Sequence, residues 1–160
     1  MPEQRPPTAR IPFLIPLEDG PVAPFVDRLA AVLAAAAAVA GFVTLWCVDP
    51  DVRGHGTHEQ FGMDACGWPI VYGIPCPTCG CTTAACHLVH GHVLQAFVTQ
   101  PFGMLAAVAG LLLGAHALWC LVRRRSFADL LVRLPFWRLV LVGAALLLLS
   151  WGYKYLVWQP

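Results

Sequence analysis

The sequence predicts an all-α integral membrane protein with three transmembrane helices, a short interfacial or re-entrant helix and an amphipathic surface helix. Hydrophobic residues make up 58% of the 160-residue chain, charged residues only 12%, and the mean hydropathy is +0.66. Three apolar stretches, 29–48, 102–122 and 139–158, match the roughly 20 residues that a helix needs to cross a bilayer. The lipid bilayer is therefore the first expected partner. The net charge of +1, without a basic surface stripe, gives no reason to expect nucleic acid.

The chain begins with a proline-rich segment, 1–24, which we predict to be an extended cytoplasmic tail in front of a membrane domain at 25–160. Seven of its residues are proline, which is unfavourable inside a helix. An apolar patch at 11–17 interrupts the tail. Two interpretations of this patch are open: contact with the membrane surface or a partner, and simple disorder.

The first apolar stretch contains the alanine run 34–38 followed by Gly41. These small residues form a smooth face on which another helix backbone can approach closely. The next stretch, 49–73, is polar and rich in turn-forming residues, so we predict a loop outside the hydrocarbon core. His55 and His58 are interpreted as residues of that solvated loop.

Reactive side chains are concentrated between residues 74 and 101, which hold four of the seven cysteines and three of the six histidines. The whole stretch 49–101 is accordingly predicted to form an outer loop with a cysteine cluster. Pro77 suits a first helical turn, so a helix is predicted from about Cys79 to His90. Gly91 is expected to end it.

A second short helix is predicted over 93–99, near the membrane interface, and Gln100-Pro101 should end it. After the second span comes a basic cluster at the membrane surface: Arg123, Arg124 and Arg125. Residues 126–138 place charges among apolar residues at helical spacing, which predicts an amphipathic surface helix that Pro135 ends or kinks.

Lys154 is the one charged residue of the third apolar stretch, and it lies between Tyr153 and Tyr155. Aromatic residues of this kind gather at membrane interfaces, and a lysine there can extend its ammonium to water. We therefore interpret Lys154 as an interfacial anchor, with a functional lysine inside the membrane as the alternative.

Arginine is concentrated in 1–28 and 123–138, whereas 49–101 contains only Arg53. By the positive-inside rule the amino terminus is cytoplasmic, and the cysteine loop and carboxyl terminus lie on the outer side. The expected location is a bacterial inner membrane, whose outer side is oxidising.

Three roles for the outer cysteines are open. In the first, six of them pair as disulfides that hold the loop, each worth on the order of 2 to 4 kcal/mol. Cys120 is set apart near the inner end of the second span, as a small apolar residue in a helix interface. The six candidates are Cys47, Cys66, Cys76, Cys79, Cys81 and Cys86.

In the second role, Cys76 and Cys79 form a redox-active Cys-x-x-Cys pair. A helix start at this pair would favour a thiolate through the helix dipole and free backbone N–H groups. Cys47 and Cys66 would then supply the loop thiols of an electron relay.

In the third role, the cluster binds zinc or another metal. Cys76, Cys79, Cys86 and His90 supply enough donors by type, and Cys86 and His90 share a helix face. A c-type haem motif is excluded because Gly80 stands where that motif requires histidine. We expect no cofactor, with a metal as the open alternative.

The segment Cys76-Pro77-Thr78-Cys79-Gly80-Cys81-Thr82-Thr83-Ala84, with Gly91 and Gln100-Pro101 ahead of a span, resembles a bacterial membrane family called domain of unknown function 2752. The resemblance covers roughly 70–122 and implies no particular reaction. Thr83, His92 and Gln100 stand where the family usually has arginine, aspartate and asparagine, and the first two changes remove a possible ion pair. Cys81 and Cys86 are additional to the motif.

The chain shows no convincing acid, base or nucleophile set, and its first span has a face of small residues. The sequence therefore predicts a non-catalytic accessory subunit of a larger bacterial membrane complex, with other membrane-protein subunits as partners. A membrane thiol-disulfide redox protein and a Cys/His metal-binding protein are the alternatives.

Overall fold

A computed structural model describes residues 14–158 and confirms the all-α membrane fold. Three helices are long and apolar enough to cross a bilayer, so the protein is a multi-pass membrane protein. One 3-10 helix, Leu17–Asp19, precedes the first α-helix, and a second, Thr57–Phe61, lies between the first and second α-helices. The α-helices of the described residues are α1 (Pro24–Trp46), α2 (Gly67–Tyr72), α3 (Cys81–Val89), α4 (Val93–Thr99), α5 (Pro101–Arg123), α6 (Ala128–Arg133) and α7 (Phe136–Leu156).

The first span, α1, begins five residues earlier than predicted and includes the charged Asp27. This carboxylate is buried and accepts hydrogen bonds from Ser126 Oγ at 2.8 Å, Phe127 N at 3.0 Å and Ala128 N at 2.8 Å. The bonds satisfy free donors where α6 starts, since the first N–H groups of a helix have no partner within it. A charged residue is therefore accommodated inside the helix.

The described part of the amino-terminal tail packs against its own chain. Leu14 and Leu17 are buried, and Ser126 N donates to Ile15 O at 3.2 Å. Leu14 belongs to a core cluster with Ala31, Ala117, Cys120 and Phe127. Simple disorder is therefore wrong for residues 14–17 of the apolar patch, and contact with the membrane surface or a partner stays a prediction. Residues 1–13 lie outside the described residues. The interface position predicted for Cys120 is confirmed.

The spans α1 and α5 pack closely along the small-residue face that the alanine run predicted. Gly114 of α5 lies directly against Ala38 of α1, and a Cβ at Gly114 would overlap the Cβ of Ala38. Small residues at such a crossing let two backbones approach and gain dispersion contacts.

The surface helix predicted over 126–138 is shorter than expected. Helix α6 is Ala128–Arg133, because Leu134 is extended ahead of Pro135 and α7 starts at the next residue. Within α6, Arg133 forms an ion pair with Asp129 at 2.8 Å.

The helix that carries the cysteines starts at Cys81, two residues later than predicted. Gly80, with φ of 87°, adopts the left-handed conformation just before it, so Pro77 and Cys79 lie in a turn ahead of the helix. Gly91, with φ of 81°, follows the helix as expected, and α4 has the predicted bounds.

The third span, α7, is held mainly by its carboxyl-terminal end. Trp151 Nε1 donates to Pro75 O at 2.9 Å, and Tyr153 Oη donates to Val98 O at 2.8 Å. Ser150 Oγ donates to the side-chain oxygen of the buried Gln100. The bundle thus has a cysteine end, where α7 is attached, and an opposite arginine end with Arg124 and Arg125.

Replacing Gly114 with leucine should destabilise the α1–α5 contact by about 1–3 kcal/mol, because an extra side chain must separate the two helices. The matched control is Gly143→Leu on α7, where a Cβ meets nothing within 4 Å. Thermal unfolding in detergent should show a lower midpoint for Gly114→Leu alone. Equal midpoints for both variants would contradict the packing described here.

Candidate functional site

Three thiols line one open cavity of about 470 Å³ at the cysteine end of the bundle, which we call the thiol pocket. Cys76 and Cys79 come from the turn before α3, and Cys66 comes from the residue before α2. The turn is closed by Cys79 N donating to Cys76 O at 3.0 Å. The fold therefore brings the Cys-x-x-Cys pair together with one loop cysteine.

The wall opposite this turn is the loop 49–66, which is more ordered than the solvated loop that we predicted. Thr57 is buried; its Oγ1 accepts from Asp51 N at 3.0 Å and hydrogen-bonds Thr83 Oγ1 at 2.9 Å. This pair joins the loop to α3. A Cβ at Gly80 would lie 2.7 Å from Gly54 O, so only glycine permits the approach.

An ion-pair network forms part of the pocket rim. Arg53 contacts Asp51 at 2.7 Å and Glu59 at 2.8 Å. Hydrogen bonding to Arg53 lowers the pKa of the Asp51 carboxyl. His55, also at the rim, packs against Trp158 with ring centroids 4.6 Å apart, and burial lowers its pKa.

The thiols of the pocket differ in exposure. Cys76 is partly exposed, and its Sγ lies 3.6 Å from Thr78 Oγ1. Cys79 is only 5% exposed, and burial, with the nearby Cys76 and Cys66 thiols, raises its pKa to about 12. Burial also raises the pKa of Cys66, and the adjacent Cys76 thiol raises it further. The expectation that the helix start favours a thiolate at Cys79 is therefore wrong.

Lys154 is buried beside the loop that lines the thiol pocket, so the prediction that its ammonium extends to water is wrong. The residue is 6% exposed, and its Nζ donates to Gly54 O at 3.1 Å and Thr99 O at 3.3 Å. Within the described part of the chain, no carboxylate forms an ion pair with it. The Cys79 and Cys81 thiols lie within electrostatic range of its ammonium group.

The other three disulfide candidates lie outside the thiol pocket. Cys81 is on the first turn of α3, where burial raises its pKa to about 11. Cys47 is exposed at the end of α1, and Cys86 is buried with its Sγ donating to Leu45 O at 3.4 Å and Val48 O at 3.3 Å. All seven cysteines fall within the described residues and are free thiols there, so the disulfides stay a prediction.

The four residues of the predicted metal set do not meet. Cys86 Sγ and His90 Nδ1 are 3.8 Å apart, but the His90 ring stacks on Trp46 at 5.3 Å, beside α1. Cys76 and Cys79 line the thiol pocket, which neither Cys86 nor His90 reaches. Across residues 14–158, no three His, Cys, Asp or Glu side chains come close enough to hold a metal ion.

The arginine cluster lies at the other end of the bundle. Arg123 is the last residue of α5, Arg124 adopts a left-handed conformation with φ of 52°, and Arg125 donates to Leu14 O at 3.3 Å. These residues join the tail to α5 and take no part in the thiol pocket.

Sequence reasoning found the cysteines, gave Lys154 a functional role only as its second interpretation, and missed Thr57. The signal for Lys154 was present, since an ionisable residue inside a span points to a functional site by default. No comparable signal marks Thr57, because its contact with Thr83 depends on how the loop folds back.

These features define a class: a small multi-pass membrane protein with a pocket of free thiols at one end. Residues 66–114 match the model of the family described as "Protein of unknown function (DUF2752)". The resemblance is confirmed for this segment, which contains Cys66, Cys76 and Cys79 but not Lys154. No curated protein and no solved structure matches the chain.

Burial of the Cys79 thiol should make the protein less stable as pH rises. The unfolded thiol loses its proton near the ordinary pKa of 9.0 and the folded one near 12, so between these values only the folded state keeps the proton. Stability should fall there by up to about 1.4 kcal/mol per pH unit. The thermal midpoint should drop between about pH 9 and about pH 12. The drop should be less steep for Cys79→Ala and as in wild type for the exposed Cys47→Ala.

Proposed function

We propose that the protein is a membrane thiol-disulfide redox protein that exchanges disulfides with a partner on the side of its cysteine loop. The observation that carries this proposal is the convergence of Cys66, Cys76 and Cys79 on one open pocket. Buried structural cysteines are chemically inert, whereas thiols in a partly exposed cavity can meet a disulfide. The pocket supports this role better than a metal site, because the predicted ligands lie apart.

Cys76 is the attacking thiol in this proposal. It is the more exposed member of the Cys-x-x-Cys pair, and the Thr78 hydroxyl is placed to donate to its sulfur. Attack on a partner's disulfide forms a mixed disulfide with Cys76 and releases one partner thiol.

Cys79 or Cys66 completes the exchange. Either thiol gives up its proton and attacks the Cys76 sulfur, which releases the second partner thiol and leaves a disulfide in the pocket. Two electrons pass to the partner, and the reverse sequence oxidises a partner dithiol. The raised pKa of Cys79 keeps this thiol protonated until the mixed disulfide forms, and the Lys154 ammonium favours its later ionisation.

The orientation predicted from the arginines agrees with this role. The arginine cluster and the cysteine pocket lie at opposite ends of the bundle, and the end of α7 lies beside the pocket. With the arginine end in the cytoplasm, the pocket opens on the outer side of a bacterial inner membrane. Disulfides persist on that side.

The test is to equilibrate the purified full chain in glutathione redox buffers and count free thiols by alkylation and intact mass. The wild type should lose two thiols, including Cys76, and Cys76→Ser should keep its remaining pocket thiols free. Cys79→Ser and Cys66→Ser identify the second thiol. Cys120→Ser, at the arginine end, is the matched control and should behave as wild type. A Cys76 that stays reduced in fully oxidised glutathione would refute the proposal.

A second proposed role is that of an accessory subunit in a larger membrane complex, and α7 supports it. Near the middle of α7, Leu141, Val142 and Leu148 are 52%, 56% and 60% exposed. Its contacts with the rest of the chain are concentrated at the cysteine end. A partner's transmembrane helix can therefore pack along most of its length without displacing α1 or α5.

An accessory subunit should copurify with a partner after gentle solubilisation. Photocrosslinkers placed at Leu141 and Leu148 should trap one defined protein, because α7 would lie in that interface. The control position for the photocrosslinker is Val39 on α1, which has a similar exposed fraction of 59%. Recovery of a free monomer with only lipid adducts at the α7 positions would count against this role.

A further inference from the structure

We propose that the apolar groove between α1, α3 and α5 binds a membrane quinone, which accepts electrons from the thiols. This inference rests on the proposed redox function and adds its electron acceptor. The groove is a separate cavity of about 660 Å³, lined by Ala and Gly residues of the two spans and covered at one end by α3. A redox pair in a membrane protein needs an electron acceptor, and this cavity can be reached from the lipid.

The shape of the groove fits a flat head group with a chain. On α1 it extends from Ala34 to Leu45, which is about 16 Å at the 1.5 Å rise of an α-helix. Gly41 and Gly110 line it, and a Cβ built at either position meets no described atom within 4 Å. The space beside these two glycines is therefore open and long enough for an isoprenoid chain.

The polar end of the groove lies at the cysteines. Thr78, Cys81 and Thr82 line it there, and Thr78 and Thr82 also line the thiol pocket. The two cavities are therefore neighbours that share a wall. A quinone needs such an end, since its carbonyl oxygens accept hydrogen bonds that threonine hydroxyls can donate. A lipid acyl chain has no oxygen that could accept a hydrogen bond from these threonines.

Cys81 is the thiol that faces this ligand. It lines the groove together with Thr78 and Thr82, the two residues that also line the thiol pocket where Cys76 lies. Gly103 allows this placement, because a Cβ there would lie 2.6 Å from Cys81 Cα. Four cysteines are thus divided between the two cavities: Cys66, Cys76 and Cys79 line the thiol pocket, and Cys81 lines the groove. Cys76 and Cys81 are the members that connect the cavities in this proposal.

The reaction balances with these two thiols and one quinone. Cys76 and Cys81 each lose a proton, and their sulfurs give up two electrons as one S–S bond forms. The quinone takes up two electrons and two protons and becomes a hydroquinone. Exchange of the new disulfide with a partner dithiol at Cys76 would then return both thiols to their reduced state.

The experiment uses the reduced full chain in lipid nanodiscs with ubiquinone-1 as the probe, and it follows thiol loss by intact mass. Gly41→Leu and Gly110→Leu fill the groove, and Gly143→Leu on α7 is the matched control, because its Cβ also meets open space. Oxidation by glutathione disulfide is measured on every variant and reports an intact thiol pocket. The ratio of the quinone rate to the glutathione rate is the readout.

We expect a wild-type quinone rate that saturates with quinone concentration and a ratio at least about tenfold lower in both groove variants. Gly143→Leu should keep the wild-type ratio. An unsaturable rate, or unchanged ratios in the filled variants, would overturn the quinone site. A wild type that reacts with glutathione disulfide but not with quinone would overturn this inference and leave the proposed function intact. Reaction with neither oxidant would overturn both.

Discussion

The arrangement of the cysteine end depends on one buried ammonium group. Lys154 joins the third span to the loop 49–66 through Gly54 and to the end of α4 through Thr99. A buried charge is costly unless polar groups surround it, so the two carbonyls must stay in place while the lysine is charged. The loop is thereby held against Gly80, and the turn with Cys76 and Cys79 is enclosed between them. The thiol pocket follows from this enclosure.

The same region shows how polar groups are satisfied where helices break. Gln100 is fully buried between α4 and α5; its Nε2 donates to Pro77 O at 3.2 Å, and its Oε1 accepts from Ser150. One amide therefore links the cysteine turn to α7. Such links are needed because backbone N–H and C=O groups within a bilayer have no water with which to form hydrogen bonds. Lys154 and Gln100 together make α7 part of the site, although its middle scarcely touches the other spans.

The spans, α4 and the glycine stop at Gly91 could be predicted because their signals are local: apolar length, a proline break and a left-handed glycine. The start of α3 could not, since Pro77 suits a helix start as well as a turn, and Gly80 decides between them through its approach to Gly54. The burial of Lys154 could not be predicted from the sequence either. Its aromatic neighbours are typical of an interface, and only the folded loop supplies the carbonyls that receive its ammonium group.

Gly80 also determines the environments of the two cysteines that adjoin it in the sequence. Cys79 precedes it and lines the cavity at the loop, whereas Cys81 follows it and lines the groove in the bilayer. A single left-handed residue thus separates an aqueous compartment from a lipidic one. Because each helical residue turns the chain by about 100°, one residue inserted after Gly80 would rotate Cys81 out of the groove while Cys79 stayed in place. Which cavity each of these cysteines lines is therefore set by the length of the chain at this point, as much as by the identity of the cysteines.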